Sequence, residues 1–235
     1  MTREIGLNRK DLRPTAGGVG PPSDRARVRR LPERGIYEPS GVAEILRAGV
    51  VCHVGLIEAG SPVVVPTTYG LYDDSLMVHG LPVSRLLRRM RHGFPICVNV
   101  TLFDGLVLAR SAFEHSMNYR SVTLFGRARW VRDLDSKREA LRAISDHLLP
   151  GRWQDVRPPT EAELRRTHVL AMPLSEASAK VRSGPPTPDE DNWDTWTGVL
   201  PAMLTWGQAL DERKTRADPP TYIALVEGSV IGGTR

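Results

Sequence analysis

The chain has 235 residues, of which 40% are hydrophobic, a length and composition that fit one domain with extensions around one real core. Its formal charge of +5 raises nucleic acid as a partner. The basic residues are scattered, however, and their densest group (Arg25, Arg27, Arg29, Arg30) lies in a Gly- and Pro-rich stretch that reads as a solvated or dimer-covering tail, so no nucleic-acid partner is expected. Cys52 and Cys97 both sit inside apolar runs, which argues against a disulfide framework and for buried, reduced thiols. With no signal segment and no run near the ~18 apolar residues that span a bilayer, a soluble cytoplasmic protein without a membrane partner is expected.

Residues 1–34 show no period and are expected to form an extended arm, followed by one domain over 35–208 and a tail over 209–235. Ser40 reads as the N-cap of a short helix, GVAEILRA, with Gly49 ending it in a left-handed conformation. Residues 50–58 are β-branched and apolar and predict a buried strand, with His53 packed in the core. Residues 63–69 and 76–79 predict two further strands, divided by a turn at Asp73-Asp74. The period then changes: Leu86, Leu87 and Met90 recur at helical spacing within SRLLRRMR, and Gly93 stops that helix.

Residues 95–108 are long and hydrophobic, and Asp104-Gly105 reads as a hairpin turn between two strands. Residues 120–132 alternate and predict a long barrel strand. Asp135 is placed to cap the helix KREALRAISDHLL, which Pro150-Gly151 ends. Thr160 with Glu163 forms a capping-box pattern. A strand over 168–174, a linker over 184–194 and a last apolar strand over 199–206 complete the chain. The expected class is α+β, mainly β: a closed or nearly closed barrel of six to seven antiparallel strands with short helices.

One segment gathers groups with chemical potential. A strand ending at His79-Gly80, a corner at Pro82 and a helix starting at Ser84-Arg85 would put a hydroxyl, a guanidinium and unpaired amides together, a cradle for phosphate. Arg88, one turn on, adds charge; the alternative is an ordinary amphipathic helix with a polar entry. No metal spacing, GxGxxG motif, P-loop or nucleophile elbow is present.

The run PVVVPTTYGLYDDSLMVHGLPVSRLLRRM resembles the flavin-binding core of the pyridoxamine 5′-phosphate oxidase-like family, the FMN-binding split barrels. DGLVLARSAFEHSMNYRSVTLFGRARWV resembles the family's next strands, and EASAKVRSGPP with WTGVLP resembles its flavin-nucleotide-binding, nitroimidazole-resistance-related subgroup. The resemblance implies an FMN-dependent oxidoreductase passing a hydride or electrons to a small acceptor, with a possible reduced nicotinamide donor and the cofactor held at a homodimer interface. It further implies that the flavin's pyrimidine edge meets the backbone of Val64, Val65, Pro66 and Thr67. His79, Gly80, Ser84, Arg85 and Arg88 would hold the phosphate, Arg120 and Ser121 the ribityl chain or ring. Lys180 and Trp196 would reach the flavin of the other subunit. Two departures bear on this: Pro66 lacks an N–H, and position 79 is His where the vitamin B6 oxidases carry a small polar residue.

Two rival readings keep the fold. A deazaflavin or a haem could replace FMN, the haem drawing an axial imidazole from His79 or His115; or the protein could bind flavin without turnover.

Overall fold

The computed structural model describes residues 19–188, 193–211 and 218–232. Its elements in chain order are β1 (Gly35–Ile36), α1 (Pro39–Ala48), β2 (Val51–Glu58), β3 (Ser61–Thr68), β4 (Gly70–Tyr72), β5 (Ser75–Gly80), α2 (Arg85–Arg91), β6 (Pro95–Leu108), β7 (Ser116–Arg127), β8 (Arg129–Val131) and α3 (Leu134–Leu148). Then follow α4 (Arg152–Asp155), α5 (Glu161–Arg166), β9 (His168–Pro173), β10 (Ala177–Arg182), β11 (Gly198–Pro201), β12 (Leu204–Thr205), α6 (Thr221–Val226) and β13 (Val230–Ile231). A large sheet runs in the order β1-β10-β7-β6-β2-β3, with β11 also on β6, and a smaller one runs β4-β5-β9-β8. All the pairings are antiparallel. The large sheet does not close on itself, since β1 and β3 are its ends. This is the expected mainly-β split barrel.

Alternation builds the core between the sheets. Cys52, Val54 and Leu56 of β2 point inward with Ile96, Val98 and Val100 of β6 and Val122 and Leu124 of β7. From α1 come Val42, Ile45 and Leu46, spaced to share one helix face. The small sheet carries α3 on Ala140 and Ile144, and the approach is close: a Cβ on Gly70 would lie 2.5 Å from the Ile144 Cα. Only glycine admits that contact.

Several sequence expectations are corrected. Helix α1 starts at Pro39, not behind a Ser40 cap, because proline's fixed φ suits the first turn. Gly49 is extended (φ −85°) rather than left-handed; a side chain there would strike Val100 and Tyr69. Residues 104–105 make no hairpin. Strand β6 runs on through a bulge between Phe103 and Gly105, Gly105 taking φ +147° with Leu200 O close to its Cα hydrogens. Asp133, not Asp135, caps α3, accepting from Ser136 N at 2.8 Å. The 120–132 stretch breaks at Ala128, where the chain leaves the large sheet for the small one. The 199–206 stretch divides likewise into β11 on β6 and β12 on β13. The capping box at Thr160 and Glu163 is present in full.

The flanks are fastened to the barrel. Ala26 is 2% exposed, Arg25 pairs with Glu176, and the Arg30 carbonyl accepts from Lys180 Nζ at 2.7 Å. At the other end, Tyr222 Oη donates to Asp155 at 2.7 Å and the Gly232 carbonyl accepts from Arg120 at 3.1 Å. The expected 1–34 arm lies outside the described residues up to 18, as do 189–192 of the expected linker. No helix among the described residues is long and apolar enough to cross a membrane.

Candidate functional site

Strand β3, carrying Val64, Val65, Pro66 and Thr67, is an edge of the large sheet and, among the described residues, pairs only with β2. Proline cannot donate to a ladder, so Pro62 and Pro66 belong with their nitrogens on the free side. Even-numbered residues of a strand share one lateral direction, which leaves Val64 N–H as the donor offered between the two prolines. Its side chain is 65% exposed on the outer face. Val65 turns inward against the core.

Strand β3 passes through Tyr69 into β4, and β4 pairs with β5 by Gly70 opposite Met77. Residues 64–67 and the His79–Gly80 end of β5 therefore lie on the same side of that pair. Beyond Gly80 the chain turns through Leu81, Pro82 and Val83, with Ser84 N donating to Leu81 O at 2.9 Å, and Arg85 opens α2. Ser84 occupies the N-cap position, but its hydroxyl makes no capping bond and stays available. Arg88 is exposed; the side chain of Arg85 lies outside what the structure describes. His79 is exposed too, yet partial desolvation holds its imidazole below the ordinary histidine value. That desolvation favours the uncharged ring as a hydrogen-bonding group.

The remaining residues implied by the family resemblance sit elsewhere. Arg120 spends its guanidinium on Asp104, at 3.0 and 2.8 Å, and on the Gly232 carbonyl, tying the β6 bulge to the C-terminal tail. Ser121 and Lys180 are register partners, and Ser121 Oγ donates to Lys180 O at 3.2 Å. Burial, then Arg34 and Arg30, lowers the Lys180 ammonium from its ordinary value. Trp196 is exposed and folds over Gly198 at the start of β11. One protomer thus brings β3 and the corner together, and Ser121 with Lys180, but spreads the two groups along the large sheet: β7 is three strands from β3.

The structure also exposes residues that sequence reasoning missed. His53 is not packed in the core; β2 is two-faced, with Cys52, Val54 and Leu56 inward and Val51, His53, Gly55 and Ile57 outward. The register aligns Pro66, His53, Asn99, Thr123 and Ser178 in one row across five strands. Asn99 Nδ2 donates to Val122 O and Thr123 Oγ1, each at 3.2 Å, and Thr101 Oγ1 donates to Asn99 Oδ1 at 2.8 Å. The polar–apolar alternation of VNVT was the signal for this row. His115, in contrast, has Nε2 3.2 Å from the Ala109 carbonyl.

Two main antiparallel sheets, neither closed on itself, with a strand-to-helix corner beside a free edge define the split-barrel class. The model of the pyridoxamine 5′-phosphate oxidase family matches residues 38–181, and the chain belongs to that family. Among solved structures, the chain is 36% identical to the flavocytochrome Anf3 from Azotobacter vinelandii (TM-score 0.83, covering 89% of this chain and 99% of that one). It is 33% identical to an FAD- and haem-binding protein from Mycobacterium smegmatis (TM-score 0.79, covering 83% and 98%). A protein assigned to 5-nitroimidazole antibiotic resistance, from Bacteroides thetaiotaomicron, is 25% identical (TM-score 0.51, covering 63% and 86%). No curated protein matches the chain.

Proposed function

We propose that this protein is a flavin-dependent oxidoreductase, working as a cytoplasmic homodimer on a small organic substrate or acceptor. The observation that carries the reading is the likeness, at 36% and 33% identity, to a flavocytochrome and to an FAD- and haem-binding protein over nearly their whole lengths. The residues of this chain suit the group. Val64 N–H and the flanking carbonyls on the edge of β3 offer a donor and acceptors to a flavin's pyrimidine edge. The corner of His79, Gly80, Ser84, Arg85 and Arg88 offers an uncapped hydroxyl, basic groups and a neutral imidazole to its phosphate. Bound flavin supplies hydride and electron transfer, while the protein binds, orients and shields it. The flavin is FMN in the reading from sequence and FAD in one relative; the mass of the released cofactor distinguishes them.

The dimer is supported by apolar side chains left exposed in one protomer. Leu200, Leu106 and Met117 stand in register across β11, β6 and β7, all exposed, with exposed Phe103 beside them. Lys180 and Trp196, remote from β3 in one protomer, would serve the site of a second.

Haem is the second reading, as a group held in addition to flavin. The mycobacterial relative binds haem as well as FAD, and the other is a flavocytochrome.

The flavin site is tested by fluorescence titration of FMN and FAD. The double variant Ser84→Ala/Arg85→Ala is expected to weaken flavin binding at least tenfold, about 1.4 kcal/mol or more. Val64→Pro, which removes the free-edge donor from an exposed strand, is expected to weaken it as well. Unchanged affinity in both would remove the site from β3 and the corner.

A further inference from the structure

We infer that His53 is the axial ligand of a haem seated on the outer face of the large sheet, with Asn99 orienting its imidazole; the inference rests on the haem reading above and deepens it. Of the six histidines in the chain, three have their rings engaged or enclosed. His115 and His147 bring Nε2 within 3.2 Å of Ala109 O and 2.7 Å of Gly49 O, and His168 is buried with its ring 5.1 Å from that of Trp130. His92 closes α2 directly after Arg91, on a cationic surface. His79 belongs to the corner already described.

His53 is placed differently. It stands exposed in the middle of a strand, on a sheet face, and makes no hydrogen bond to the described residues. On the same face its strand neighbours are Val51 and Gly55, and the residues opposite are Pro66 on β3 and Asn99 on β6. Such positions are spaced about 6.7 Å along a strand and about 4.8 Å across. On the β3 side the surface around the imidazole is Val51, Val64 and Pro66, apolar and exposed, with a gap at Gly55; on the β6 side it is the polar pair Asn99 and Thr101. A Cβ at Gly55 would find nothing nearer than Cys97 O at 3.6 Å, so the face is open above it. A flat macrocycle would rest on the apolar Val51, Val64 and Pro66 side of this face, and the imidazole rising beside them would supply the iron's protein ligand.

A ligating imidazole needs its second ring nitrogen held by an acceptor, which fixes the tautomer and the ring plane. Asn99 is the register partner of His53, and directly opposed Cβ atoms lie about 4.5–5.5 Å apart. Its amide cannot turn freely: Nδ2 is committed to Val122 O and Thr123 Oγ1, and Oδ1 accepts from Thr101 Oγ1. Oδ1 keeps a second lone pair for the imidazole N–H. Asn99 is thus a positioning residue.

The test reconstitutes the full chain with hemin and reads absorption and electron paramagnetic resonance spectra. The wild type is expected to show a histidine-ligated Soret spectrum. His53→Ala is expected to lose that ligation with its far-ultraviolet circular dichroism unchanged, and added imidazole to restore the spectrum. His53→Met should convert the spectrum to a methionine-ligated form, which covers the case in which the alanine variant folds poorly. Asn99→Ala should retain haem but shift its resonance signal. A wild-type spectrum in His53→Ala, with ligation lost instead in His79→Ala, would overturn the ligand and keep the haem reading. A wild type that takes up no hemin would overturn both.

Discussion

The two faces of the large sheet are composed on different principles. Inward, β2, β6 and β7 present Val54, Val98, Val100, Val122 and Leu124, which pack against α1 and the small sheet. Outward, the same strands present His53 and, bonded to each other and to backbone, Asn99, Thr101, Ser121 and Thr123. The inner face needs only volume and apolarity. On these three strands the outer face places uncharged polar groups where a charged residue would serve solvation as well, and Lys180 stands beside Ser121 on the adjoining β10. The inner face therefore specifies the fold, while the proposed chemistry is assigned to the outer face and its β3 edge.

Substitutions should separate the two faces. The largest effect is expected from Leu124→Ala on the inner face of β7, which removes a fully buried side chain and should cost about 2–5 kcal/mol of stability in denaturant unfolding. On the outer face of the same strand, Thr123→Val should change stability by no more than about 0.5–1.5 kcal/mol, the net worth of one hydrogen bond. Equal losses at the two sites would end the distinction.

The thiols sharpen it. Cys52 faces inward, and burial pushes its thiol up to about 12; Cys97 faces outward, is half-buried, and is raised by the same cause. Timed alkylation of the native protein at mildly alkaline pH should modify Cys97 slowly and leave Cys52 unmodified until the chain unfolds. Labelling of Cys52 first would show that the inner face opens.

The smallest effect lies away from both faces. Arg157, then the Thr160 backbone and hydroxyl, hold the Glu163 carboxylate down at about 2, below its ordinary 4.5. A depressed carboxylate contributes stability that is full above its unfolded value and is lost as pH falls towards the folded one. Acid unfolding should therefore weaken the protein between about 4.5 and about 2, and Glu163→Gln should flatten part of that slope without touching flavin binding.

Much of this was legible in the chain. The alternation of β7 and the helical spacing of α2 come from side-chain period, which is local. The capping box at Thr160 is a local pattern too, and it is present as read. What local pattern misjudged was continuity. Asp104-Gly105 has hairpin composition, but β11 lies along β6 through Gly105 and makes a bulge the better solution. Residues 120–132 alternate without interruption, yet the split of the barrel moves the chain between sheets at Ala128. Strand β10, read only as part of a family phrase, pairs with β7 over its whole length and carries Lys180. The buried reading of β2 failed because its outward residues include Val51 and Ile57, apolar side chains that mimic a two-sided core strand. His53 was hidden by them.

The absorption spectrum of the purified full-length chain, with its released cofactor identified by mass, tests the central claim most directly. The account predicts the two visible and near-ultraviolet bands of a bound flavin and the mass of FMN or FAD. A colourless protein that stays colourless after incubation with both nucleotides and gel filtration would contradict it.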